Sequence, residues 1–152
     1  DEPAAAASAI VVEVTERHAM TAKKAAEVRS KLARDACIVC ILGGTEFNTD
    51  ENEKLVEAIA ERFHKQKVPK VKFLTGGMPG VQETFAKNCG DGSRVWHLLP
   101  SGQQSGYGTG TDINAGADLE ERKAIFALVG DIYVSVEGGS GVAQEAKEAY
   151  GR

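Results

Sequence analysis

Residues Ile132 to Tyr150 read IYVSVEGGSGVAQEAKEAY, and this stretch decides the fold. Ile132, Tyr133, Val134 and Val136 are β-branched or aromatic, Gly138-Gly139-Ser140-Gly141 interrupts them, and the Ala/Glu/Lys-rich remainder has high helix propensity. The pattern is strand, glycine turn, helix. Such a turn leaves backbone N–H groups unpaired at the helix start, and glycines let an anion approach with no Cβ in the way. These are the physical requirements of a phosphate-binding glycine loop.

Upstream, the same design recurs. Cys37 to Leu42 (CIVCIL) is apolar on both faces, as a central parallel strand must be, and runs into Gly43-Gly44-Thr45. A helix ending near Gln66 follows: Asp50 and Glu53 have capping-box spacing, and Leu55, Val56, Ile59, Ala60 and Phe63 line one face. Val71 to Thr75 is the next strand, Gly76-Gly77 its turn, and Pro79 a first-turn residue of a helix with Val81, Phe85 and Cys89 on one side. A third strand spans Arg94 to Leu99. Asp118 with Glu121 caps a further helix that stops at Gly130.

Four strands, each met by a helix, predict a doubly wound parallel α/β sheet, because parallel neighbours need long right-handed crossovers. In such sheets ligands sit at the carboxyl ends of the strands, where strand order reverses. The turns at Gly43-Gly44, Gly76-Gly77 and Gly138-Gly139 all lie at those ends, so they can share one crevice that holds a phosphorylated small molecule.

With 152 residues and 42% hydrophobic content, the chain supports one domain. We divide it into an N-terminal leader and helix over residues 1–36 and a Rossmann-like nucleotide-binding domain over 37–152. Residues 1–9 have little to bury and read as a mobile leader, and a helix is expected from about Thr21 to Arg34. The chain starts at Asp1, as a processed or trimmed product would, and ends at Arg152, where an alternating α/β protein would begin another strand; a C-terminal element is expected beyond it.

A net charge of −4 with no basic stripe argues against a nucleic-acid partner, and no apolar run is long enough to span a membrane. Cys37, Cys40 and Cys89 are too few for a disulfide framework, so a reducing compartment is expected: the cytoplasm, with a plastid or other organelle as the alternative. The two-residue gap between Cys37 and Cys40 suits a zinc or redox pair, but no second pair exists, and on a strand the two thiols point to opposite faces. His18, His64 and His97 lack companions at metal-ligand spacing, so no metal and no cofactor is expected.

The tract SGQQSGYGTGTDINAGA, Ser101 to Ala117, is a long loop rich in glycine. Loops of this length inside compact domains serve as lids over sites or as flexible connections, and composition alone leaves both readings open.

The segments GGMPGVQETFA (Gly76 to Ala86), LEERKAIF (Leu119 to Phe126) and EGGSGVAQE (Glu137 to Glu145) resemble, in order and spacing, the three signatures of the LOG family. These are cytokinin-activating phosphoribohydrolases once labelled lysine decarboxylase-like, and the wider superfamily includes molybdenum-cofactor carriers. The resemblance covers most of Cys37 to Tyr150. It implies a Rossmann-like fold, a homodimer, and hydrolysis of a nucleoside 5′-monophosphate to base and ribose 5-phosphate. It also implies that Arg122 and Glu145 are catalytic. Phosphate and ligand contacts would then come from Gly43, Gly44, Thr45, Gly76, Gly77, Gly80, Lys123, Gly138, Gly139, Ser140, Gly141 and Val142. Spacing alone favours a plainer reading, in which Glu145 and Glu148 form a solvated helix face and Arg122 and Lys123 pair with Asp118 or Glu121 along their own helix; the resemblance reverses that preference. The family carries proline where this chain has Glu137 and threonine where it has Val142. Those two positions motivate a second expectation, a non-catalytic nucleotide or pterin-phosphate carrier.

Overall fold

The structure, a computed structural model, describes residues 2–151, with side chains described for 16–139 and 142–151. The elements in order are α1 (Glu2–Leu32), β1 (Cys37–Gly43), α2 (Asp50–Gln66), β2 (Val71–Thr75), α3 (Val81–Asn88), β3 (Val95–Leu99), β4 (Thr111–Asn114), α4 (Leu119–Val129), β5 (Ile132–Val136) and α5 (Ser140–Tyr150). They form a single α/β domain of Rossmann-like type.

The sheet has five strands in the order β4-β3-β2-β1-β5, and every neighbouring pair is parallel. Alternation along β1 shows how it is packed. Ile38, Cys40 and Leu42 face a core formed with Val28 and Leu32 of α1 and Ile125, Phe126 and Val129 of α4. Val39 and Ile41 face a second core formed with Val56 and Ala60 of α2 and Phe85 of α3. Cys37 and Cys40 therefore do lie on opposite faces, and no cysteine among the described residues is in a disulfide. Helices α2 and α3 cover one face, and α1, α4 and α5 the other. The chain changes face between β1 and β5, and that is the topological switch point.

Three expectations are corrected. Residues 111–114, read as part of a loop, form a fifth strand whose register runs from Trp96↔Thr111 to Leu99↔Asn114. The N-cap of α2 is Thr49, whose hydroxyl accepts from Asn52 N at 3.2 Å, and not Asp50, which is already helical. Helix α1 starts at Glu2 and stops at Leu32, so it is longer than the helix expected from Thr21 to Arg34. Asp1 and the side chains of 1–15, which include most of the expected leader, lie outside those described.

Other local signals hold. Asp118 accepts from Glu121 N at 2.9 Å while Glu121 Oε2 accepts from Ala117 N at 2.8 Å, a reciprocal cap for α4, and Gly130 is its C-cap. Arg29 ties α1 to the sheet by donating to Val129 O at 2.8 Å and pairing with Asp131 at 2.9 Å. No helix among the described residues is long and apolar enough to cross a membrane.

Candidate functional site

The three glycine turns meet. A Cβ built on Gly44 would stand 3.6 Å from Gly138 N, and one built on Gly80 would overlap Gly44 O and lie 2.6 Å from Thr45 O. Gly80 also has φ 80°, where an L side chain is strained. Gly43, the last residue of β1, leaves no space for a side chain: a Cβ there would overlap Val81 and approach Val136 O at 2.6 Å. A cleft of about 280 Å³ opens at the switch point between the Gly44 to Asn48 loop and residues Glu137 to Gly139.

Arg122 of α4 packs against Gly76 of the second turn, and Glu145 of α5, on the same side of the sheet, lies close enough to be attracted by it. Arg122 is 1% exposed and Glu145 7%. The Arg122 guanidinium lies 5.7 Å from the Phe126 ring centroid and packs against Gly76. Nε and Nη1 of Arg122 and Oε2 of Glu145 have no hydrogen-bond partner among the described residues. Burial pushes the Glu145 carboxyl above its ordinary range, outweighing the attraction of Arg122 and Lys123. Burial likewise lowers Arg122, opposed by Glu145, but a guanidinium stays protonated at any working pH. Two buried groups of opposite charge, each with unused hydrogen-bonding capacity, make a site able to grip an anion and to stabilise developing positive charge.

Lys123 extends the positive side; its amine is 3.9 Å from Glu120 and largely covered. Val142 is half-buried against the α1/α4 core, and its side chain would overlap a Cβ on Gly138. The side chains of Ser140 and Gly141 lie outside those described.

The backbone donors of the second turn are already paired. Gln82 Oε1 accepts from Gly76 N at 2.7 Å and Met78 N at 3.2 Å, and Thr75 Oγ1 accepts from Gly77 N at 3.1 Å. Gly76 and Gly77 thus make room for the Arg122 and Leu99 side chains and do not serve as free N–H donors. At the third turn, α5 starts at the N-cap Gly139 without a side-chain cap. Its first N–H groups are the ones suited to a ligand.

Residues that the sequence reading left out of the site complete the arrangement. Tyr107, at the centre of the glycine-rich tract, is 6% exposed, and its hydroxyl donates to Met78 O. Its ring meets His97 edge-on at 4.6 Å. His97 is fully buried: Nε2 donates to Thr109 O at 2.8 Å, which leaves Nδ1 to accept from the Thr75 hydroxyl at 2.7 Å. The tract is therefore anchored over the second turn. The available signal was an aromatic residue set among glycines, and its partners lie far away in the chain. Among the described residues no group of three or more side chains could hold a metal.

Residues 36–152 match the family model described as the SLOG cluster4 family. A comparison with curated proteins returns no match. Among solved structures, the structural-genomics protein TM1055 superposes with a TM-score of 0.64 at 21% identity, over 76% of this chain and 69% of that one. The Moco carrier protein from Chlamydomonas reinhardtii gives 0.62 at 23% identity over 76% and 71%. The molybdenum cofactor binding protein from Rippkaea orientalis gives 0.58 at 21% over 75% and 70%. At these identities the neighbours establish a shared fold. The family match covers most of the chain: it belongs to the SLOG cluster4 family.

Proposed function

We propose that the crevice binds a phosphorylated, nucleotide-like small molecule and hydrolyses the N-glycosidic bond of a nucleoside 5′-monophosphate. The observation that carries this reading is the burial of Arg122 and Glu145 beside the glycine turns with Nε, Nη1 and Oε2 unpaired. Buried charge without partners is costly, and chains keep it where chemistry requires it.

In the reaction the bond between C1′ and the base nitrogen breaks, water supplies hydroxide to C1′, and a proton goes to the departing base. Positive charge grows on the ribose as that bond lengthens. An ionised Glu145 stabilises it or holds the ribose hydroxyls, while the Arg122 fork grips the phosphate or the leaving base. Glu145 sits midway along α5, and the tilt of helical Cα–Cβ bonds leans its side chain back toward the N-terminal glycine turn. A chromatographic assay against a panel of nucleoside 5′-monophosphates tests the reading. Free base should be released, and Glu145→Ala should abolish release; no turnover of any common nucleotide contradicts it.

A carrier of a pterin phosphate is the second reading, favoured by Val142 and Glu137 at the third turn. The Chlamydomonas and Rippkaea neighbours bear names of that kind. It predicts stabilisation by the ligand without product. For either reading we place the protein in the cytoplasm as a homodimer, and sedimentation of the purified chain tests the dimer.

A further inference from the structure

Glu137 follows β5 in a backbone conformation that few non-glycine residues adopt, with φ 57°. Its side chain crosses the switch point to the start of α2. Both carboxylate oxygens accept from Asn48 N at 3.1 Å, and Oε1 also accepts from the Asn52 side-chain amide. The carboxylate thus lies in the cleft between the first and third glycine turns and occupies a backbone donor there. Glu46 also lines that cleft, and none of its lining residues is a lysine or arginine. The positive groups, Arg122 and Lys123, approach from the opposite face of the sheet, beside Glu145.

The two sides of the crevice therefore differ in sign. From this we propose that Glu137 is a specificity-determining residue: it excludes a ligand's phosphate from the cleft between β1 and β5 and reserves that cleft for hydrogen-bond donors such as sugar hydroxyls or an amino group. The phosphate is thereby directed to the side of the crevice served by Arg122 and the start of α5. The inference rests on the reading that the crevice holds a phosphorylated ligand. The physical ground is simple. A carboxylate repels a nearby dianion, and it has already taken the Asn48 N–H that an anion would use. A hydroxyl, in contrast, can donate to a carboxylate oxygen that still has lone-pair capacity.

The test compares wild type with Glu137→Gln, which keeps an acceptor and removes the charge, and with Glu137→Gly, which removes the side chain and relieves the positive φ. Each is titrated with AMP and with adenosine by calorimetry, and the Asn48 amide is followed by NMR during a titration with inorganic phosphate. AMP should bind about tenfold more tightly to Glu137→Gln, the size of effect expected from deleting one partly screened charge near a phosphate. Adenosine should not gain. The Asn48 amide should respond to inorganic phosphate in Glu137→Gly and remain silent in wild type. Equal or weaker AMP binding in both variants overturns the proposal. If none of the three proteins binds either nucleoside species, the nucleotide reading of the crevice fails, and the Asn48 amide decides this inference alone: a response confined to the variants supports it, and no response, or the same response in wild type, overturns it.

Discussion

The guanidinium of Arg122 packs directly on the Cα of Gly76: a methyl group on Gly76 would stand 2.6 Å from Nη1 and 3.0 Å from Cζ. The backbone at Gly76 lies outside the positive-φ region, so the space, and not the conformation, demands glycine. Gly76→Ala should therefore displace Arg122. A displacement near an ångström costs on the order of a hundredfold in turnover, while overpacking at one methyl costs about 1–3 kcal/mol of stability. Steady-state kinetics beside chemical denaturation separates the two. Gly43→Ala is the contrast, because its methyl would meet the Val136 carbonyl and the Val81 side chain, and it should lose stability first.

Glu145 predicts a pH dependence of known sign. Burial raises its folded pKa above the ordinary 4.5, so the folded chain binds this proton more tightly than the unfolded one. The corresponding stability is fully present below pH 4.5 and is lost as pH rises through the folded value. Glu145→Gln should then be more stable than wild type at neutral pH, by about 1 kcal/mol, as expected when a functional buried charge is neutralised. Denaturation at neutral and at acid pH should show that advantage shrinking as pH falls through the folded value and gone below pH 4.5. A variant less stable than wild type at neutral pH would mean that Arg122 depends on an ionised Glu145.

The glycine-rich tract should loosen in acid. His97 is neutral when it joins Thr75 to Thr109, and burial lowers its pKa from 6.5, against the pull of the Thr109 carbonyl and Asp112. Its contribution is present above pH 6.5 and is lost as pH falls through the lowered folded value. Amide exchange in the tract should rise over that range in wild type, and His97→Gln should remove the dependence.

Tyr107 reports on the same anchor. Burial raises its phenol well above the usual range, so it stays a donor, and Tyr107→Phe leaves the Met78 carbonyl without it. The expected cost is about 1 kcal/mol, more if the carbonyl finds no water. Thermal unfolding measures it; an unchanged transition would show that the hydroxyl bond contributes nothing.

The sheet was legible because its signals are local. Apolar runs at Cys37, Val71 and Val95 each stop at a glycine turn or loop, and parallel topology then follows from the helices between them. The convergence of Gly44, Gly80 and Gly138 is a consequence of that topology, which places every strand's carboxyl end on one edge. Strand β4 was not legible: TDIN is short, with Ile113 its one apolar residue, and only pairing with β3 defines it. The role of Glu137 was hidden for the same reason. Its departure from proline is visible, but its partners Asn48 and Asn52 lie 89 and 85 residues away in the chain. His97 is a polar residue whose hydrogen-bond partners Thr75 and Thr109 lie 22 and 12 residues away, and nothing in its flanking sequence marks its burial.

The central claim is that Arg122 is a ligand-binding group of the crevice and not a structural one. Calorimetric titration of wild type and Arg122→Met with a nucleoside 5′-monophosphate that stabilises the wild-type protein tests it most directly, since methionine keeps much of the volume and removes the guanidinium. Both proteins must first show a cooperative unfolding transition. The account predicts that affinity falls at least about tenfold in Arg122→Met, the loss expected for a charge-assisted pair with phosphate. A variant that folds and binds the nucleotide as tightly as wild type would contradict it.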